Sequence, residues 1–211
     1  MGIECIIPAY NEEKTIGNVI KAVKESNMID NIVVVSDGSN DGTAAAARSL
    51  GVCVIEYSEN RGKGAAIKIG VENTRSDILL LLDADLIGLT RKHVVDLLMP
   101  VLKEEADMTV GVFSNGRFST DLAQRIAPNL SGQRAVRRNI IDSINNLDIM
   151  RYGVEVALTQ FANKKGYRVK TVELKDMTHI MKEEKLGFRK GFKLRMKMYW
   201  DIIKCLKPYE H

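Results

Sequence analysis

The chain has 211 residues, 45% hydrophobic and 27% charged, enough to bury the core of one globular domain. No apolar run approaches the ~18 residues of a membrane helix, and MGIECIIPAY carries neither a basic leader nor a cleavage site, so a cytoplasmic chain is expected. The net charge is +4, but residues 182–207 hold nine Lys/Arg against three acids, which leaves the remainder net negative and excludes a nucleic-acid-binding main body by composition.

In chain order, residues 3–8 read as a strand, and 13–24 as a helix with Ile16, Val19, Ile20 and Val23 on one face. A strand at 31–36 leads to a helix capped by Asp41 and running to Leu50, then a strand at 52–56. A helix at 64–73, a strand at 77–82, a helix at 92–103 and a strand at 108–112 follow. The pattern weakens into a polar stretch from 114 to 129. It resumes as helices at 133–144 and 153–164, a strand at 167–173, and an amphipathic basic helix at 185–206. Near-continuous apolar strands separated by helices predict an α/β domain with a mostly parallel sheet covered on both faces. The domain is expected to span 1–181, with 182–211 as a basic helix packed on it or on a second subunit.

The three cysteines, Cys5, Cys53 and Cys205, are odd in number and far apart. They are expected to be reduced and buried rather than a disulfide frame or a zinc site.

Ligands of an open parallel sheet sit outside the carboxyl ends of its strands, and four polar clusters fall there. The first, Pro8-Ala9-Tyr10-Asn11-Glu12, offers backbone groups, Tyr10 and Glu12 to a base and ribose. The second runs from Ser36 to Thr43, where Asp37 can accept from a nucleobase imide. The third, Asn60-Arg61-Gly62-Lys63-Gly64, sets two glycines and two cations at a helix N-terminus, suited to a phosphate. The fourth is Asp83-Ala84-Asp85 after ILLLL. In an extended segment the two carboxylates project together, and a divalent cation would relieve their repulsion. Taken singly, each cluster is also an ordinary turn or helix cap. Neither a P-loop nor a Rossmann glycine fingerprint is present, which disfavours a dehydrogenase.

Together and in this order, IIPAYNEEKTIG, VVVSDGSNDGT, NRGKGAAIKIG and LLLLDADL resemble the family-two glycosyltransferases, over residues 3 to 113. The resemblance implies the GT-A fold and transfer of a sugar from a nucleotide-diphosphate donor, a UDP-sugar by family habit, with Mg²⁺ or Mn²⁺. It implies that Pro8, Ala9, Tyr10, Glu12, Asp37, Lys63, Asp83 and Ala84 form the nucleotide site, with Asp85 as a metal ligand and catalytic group.

The second half resembles a compressed glucosyl-3-phosphoglycerate synthase, through Gly116-Arg117-Phe118-Ser119, Leu130 to Arg138, Gly153-Val154-Glu155 and Thr178-His179. That likeness implies Gly116, Arg117, Ser119 and Arg134 as acceptor contacts, His179 as a third ligand of the cation, and Glu155 at the reaction centre. Glu155 is expected to act as a general base or as an orienting group, unless it only favours a helix N-terminus. His93 is expected on a surface helix. The acceptor is expected to be a small molecule or a lipid phosphate. The basic tail would pack on the core or on a partner in a homodimer, or else touch an anionic membrane surface. A nucleotidyltransferase and a non-catalytic nucleotide-sugar-binding module remain rivals.

Overall fold

The structure, a computed structural model, describes residues 1–113, 131–144 and 153–179. The elements in order are β1 (Ile3–Ala9), α1 (Ile16–Glu25), β2 (Asn31–Asp37), α2 (Thr43–Ser49), β3 (Cys53–Tyr57), α3 (Lys63–Glu72), β4 (Ile78–Leu81) and β5 (Leu86–Ile87). They continue with α4 (Arg91–Leu102), β6 (Met108–Phe113), β7 (Arg134–Arg137), α5 (Arg138–Asp142), α6 (Val154–Lys164), β8 (Val169–Leu174) and β9 (Thr178–His179).

Among the described residues seven strands form one sheet in the order β3-β2-β1-β4-β7-β6-β8. β1 to β4 are mutually parallel, β7 runs antiparallel between β4 and β6, and β6 pairs parallel with β8. Side-chain alternation divides the sheet's apolar residues between two cores. In β4, Ile78 and Leu80 face one side, with Cys5 and Ile7 of β1, the Ile16-Val19-Ile20-Val23 stripe of α1, and Leu97 and Leu98 of α4. Leu79 and Leu81 face the other side, with Ile6, Ile67 and Val71 of α3, and Val154 and Leu158 of α6. A strand buried on both faces has to be apolar at every position, which is why residues 78–82 read ILLLL.

Among the described residues, the elements expected from the sequence are present with ends shifted by a residue or more, save one. Residues 133–144, expected as a helix, begin with strand β7 and become helical only at Arg138. Ala135 and Val136 have no exposure, and their alternation serves both cores. Cys5 is buried as expected, but Cys53 lies exposed on edge strand β3. His93 is buried rather than on the surface. Its Nδ1 accepts the Thr90 backbone N–H at 3.2 Å and so caps α4. Cys205 and the tail helix from 182 onward lie outside the described residues.

Gly70 lies where α3 crosses β1, and a Cβ there would overlap the Ile6 side chain. Alanine would gain roughly 1 kcal/mol of helix preference over glycine, but overpacking a well-filled core costs roughly 1–3 kcal/mol. Gly70→Ala is therefore expected to lower stability by about 1 kcal/mol in urea unfolding. A raised midpoint would show that Ile6 gives way freely.

Candidate active site

Because β1 to β4 are parallel, their carboxyl ends share one edge. The chain turns from β1 to β2 on one side and reaches β4 on the other, so β1 and β4 flank the topological switch point. All four sequence clusters lie along that edge. β7 runs the other way, and the pairing Leu81↔Arg134 brings its start, preceded by Ser131-Gly132-Gln133, to the same place.

The first two clusters are laced together. The Glu12 backbone N–H donates to Thr43 Oγ1 at 2.7 Å, the Asn40 N–H to Asn11 Oδ1 at 2.8 Å, and the Gly42 N–H to Glu13 Oε2 at 2.7 Å. Asp41 accepts the N–H of Thr43 at the start of α2, but the N-cap is Gly42, one residue past the Asp41 expected there. Pairing of β1 with β4 stops at Ile6, whereas pairing with β2 runs on through Pro8 to Ala9. β1 therefore runs one residue past the end expected at Pro8. Ala9 is buried and Tyr10 stands 48% exposed at the rim.

Asp37 is 4% exposed and organises the third cluster. Its Oδ1 accepts the Arg61 N–H at 2.9 Å and its Oδ2 the Gly62 N–H at 2.7 Å. Asn60 Nδ2 donates to the Asp37 carbonyl at 3.0 Å. The loop packs so closely on Gly38 that a Cβ there would lie 2.5 Å from Asn60 N, and Gly38 (φ 72°) and Gly62 (φ 98°) both occupy left-handed backbone. The Arg61 guanidinium stacks 4.2 Å from the Tyr57 ring centroid.

Lys63 is the first residue of α3, and its ammonium lies between two carboxylates. It donates to Asp83 Oδ1 and lies 2.5 Å from Glu155 Oε1 in the first turn of α6. Burial disfavours the ammonium, but Asp83 and Glu155 outweigh it and hold the lysine above its ordinary range. Gln133 Nε2 donates to Asp83 Oδ2 at 2.9 Å. A Cβ on Gly132 would lie 2.5 and 2.6 Å from the Asp83 oxygens and 2.6 Å from Lys63 Nζ. Glycine is thus required at 132 for close approach.

Asp83-Ala84-Asp85 forms a turn rather than an extended segment, so alternation does not align its two carboxylates. Ala84 is buried. Immediately after Asp85, β5 pairs with β9 in the register Leu86↔His179, which brings the backbone of His179 beside the Asp85 turn; the His179 side chain lies outside the described residues. Among the described residues no three His, Cys, Asp or Glu side chains converge. The donor chemistry nevertheless fits a divalent cation, since carboxylates with imidazole suit Mn²⁺, and Mg²⁺ commonly takes one or two carboxylates plus substrate phosphates.

Arg134 departs from its expected place against an acceptor. It has no exposure, donates from Nε to the Ser131 carbonyl at 2.9 Å and from Nη1 to Thr159 Oγ1 at 2.8 Å, and lies beneath the site. Burial pushes its pKa down to about 10 against the opposing pull of Glu155 and Asp83. Gly116, Arg117 and Ser119 lie outside the described residues. The roles of Gln133 and of the Tyr57–Arg61 stack were not legible in the sequence. The only available signal for Gln133 was its position beside the glycine of Ser131-Gly132-Gln133.

Residues 4–170 match the family model of Glycosyl transferase family 2, and the chain belongs to that family. It is a glycosyltransferase of the GT-A fold. The chain is 31% identical to uncharacterized protein MJ1222 of Methanocaldococcus jannaschii, over 94% of this chain and 91% of that one. It is 27% identical to the undecaprenyl-phosphate 4-deoxy-4-formamido-L-arabinose transferase of Serratia proteamaculans, over 97% of this chain and 67% of the relative. Three further curated relatives are spanned over only 26% to 36% of their length. Glucosyl-3-phosphoglycerate synthase from Mycobacterium tuberculosis, solved with Mn²⁺, UDP and phosphoglyceric acid, superposes with a TM-score of 0.76 at 24% identity, over 96% of this chain and 76% of that one. Among the described residues no helix is long and apolar enough to cross a membrane.

Removing the Lys63 ammonium leaves Asp83 and Glu155 facing each other. Breaking a buried pair costs roughly 3–5 kcal/mol, and discounting for the 28% exposure of the Lys63 side chain gives about 2 kcal/mol. Lys63→Met is expected to lower the urea midpoint accordingly. The lysine's folded pKa is raised, so its contribution is complete below the unfolded value and lost only as pH rises through the folded one. The deficit of the variant should therefore be flat between about pH 6 and pH 9. An unchanged midpoint would show that the bridge carries no stability.

Proposed function

We propose that this chain transfers a sugar from a UDP-sugar to a hydroxyl of a phosphorylated acceptor, with Mg²⁺ or Mn²⁺ held by Asp85 and His179. The observation that carries this reading is the convergence of Lys63, Asp83 and Glu155 at the carboxyl edge of the sheet, beside the loop organised by Asp37. The Mycobacterium tuberculosis neighbour, which holds UDP, Mn²⁺ and phosphoglyceric acid, supports the donor, the cation and an anionic acceptor.

When bound, the cation would supply Lewis-acid neutralisation of the leaving diphosphate. The chain's own residues do the rest. Pro8, Ala9, Tyr10, Glu12 and Asp37 line the nucleotide end of the edge, where Asp37 oxygens bonded to Arg61 and Gly62 retain lone pairs for a base N–H. Lys63 carries fixed positive charge to the diphosphate end, and Asp83 meets the ribose side. Charge stabilisation of this preorganised kind is commonly the largest catalytic contribution. Glu155, paired with Lys63 in this structure, acts as an orienting and electrostatic group facing the sugar. A base role would require that pair to open. Arg117, with Gly116 and Ser119, would hold the acceptor phosphate by bidentate pairing.

A second reading is favoured by the Serratia proteamaculans relative, whose name specifies an undecaprenyl-phosphate substrate. In it the acceptor is a polyprenyl phosphate, reached through the basic tail at a membrane surface. Co-sedimentation with anionic liposomes, lost when the tail's Lys/Arg are neutralised, would favour it. Absence of binding by the wild type would remove it. Release of pyrophosphate rather than UDP would identify a nucleotidyltransferase, and binding without turnover a non-catalytic module.

Asp85→Ala is expected to reduce cation-dependent hydrolysis or transfer of UDP-sugar by about 100-fold or more, measured as UDP released. Undiminished turnover would remove the assigned metal role.

A further inference from the structure

We propose that Gln133 is a positioning residue of the donor site, fixing the Asp83 carboxylate for the nucleotide diphosphate. The proposal rests on the nucleotide-sugar reading above. Asp83 lies beyond the end of β4, in a turn, so no strand ladder fixes its direction. Two neighbours grip its two oxygens. Lys63 bonds Oδ1, but its ammonium ends a flexible four-carbon stem and is shared with Glu155. Gln133 bonds Oδ2 at 2.9 Å from a side that is itself held.

Gln133 is 2% exposed. Its carbonyl accepts the Gly111 N–H at 2.8 Å, which ties the residue to β6 just before β7 begins. Its Oε1 lies 2.7 Å from Ser131 Oγ, and that hydroxyl also reaches the Gly111 carbonyl. The hydroxyl has one proton for these two acceptors, so it is the Asp83 carboxylate that fixes which end of the amide faces it, since a flipped amide would set oxygen against oxygen. Gly132, with no side chain, lets the segment close onto Asp83 and Lys63. Burying an amide costs free energy unless it is bonded, and here one end of it is bonded to a carboxylate of the site. An incoming diphosphate competes with Asp83 for the Lys63 ammonium. The Gln133 amide, neutral and fixed, then keeps Asp83 in place.

The test is calorimetric affinity for UDP at saturating Mn²⁺, with ligand-free melting as a folding check. Gln133→Leu is expected to weaken UDP binding by about 10-fold, the lower end of the range for groups that orient a ligating shell. Gln133→Glu keeps the shape and can still meet Ser131 but places oxygen against Asp83, so its loss should equal or exceed that of leucine. It also serves should the leucine variant fail to fold. A role in filling space alone predicts that Gln133→Met, of similar volume but with no donor, binds UDP within about twofold of wild type, and that result would overturn the proposal. Wild type that binds no UDP with either Mn²⁺ or Mg²⁺ would sink the donor assignment and this proposal with it. Wild type that binds, alongside two unaffected variants, would sink the proposal alone.

Discussion

A single ammonium group between two carboxylates joins three stretches of chain that are distant in sequence. Lys63 starts α3, Asp83 follows β4, and Glu155 opens α6. Without the ammonium, two partly buried anions would face each other across the edge of the sheet, which raises the cost of keeping both charged. With it, and with the buried guanidinium of Arg134 that Glu155 and Asp83 also attract, the two carboxylates are balanced.

The rest of the architecture brings those three groups together. Parallel strands put the ends of β1, β2, β3 and β4 on one edge, and the reversed strand β7 delivers Ser131-Gly132-Gln133 to that edge from the opposite direction. An all-parallel sheet would send that segment to the far end. Arg134 lies fully buried below, bonded to Ser131 and Thr159, and so holds the base of the segment and of α6 together. In this structure it is fully buried, away from the open face where an acceptor contact was expected.

The sheet was legible because its strands are apolar at successive positions, and α1 because Ile16, Val19, Ile20 and Val23 repeat with helical spacing. The polar clusters were legible as a set because each follows a strand. β7 was not, since Ala135-Val136 between arginines reads equally as one turn of helix; pairing with β4 and β6 decides it. The alignment of Asp83 with Asp85 was argued from an extended backbone, but the chain turns there to enter β5. Buried His93 and exposed Cys53 reversed their usual environments for local reasons, an N-terminal cap in one case and an edge strand in the other. Glu155 was correctly placed at a helix start, but its pairing with Lys63 depends on contacts between residues 92 positions apart, which periodicity does not encode.

The central claim is that this edge binds a nucleotide diphosphate and a divalent cation as one unit. It is tested most directly by thermal unfolding with UDP, with Mn²⁺, and with both, after chelator treatment. A ligand at ~100 times its dissociation constant adds about 2.7 kcal/mol to stability, and the account predicts that UDP with Mn²⁺ stabilises by more than the two separate effects combined. An identical shift from UDP with the cation present or removed would contradict it.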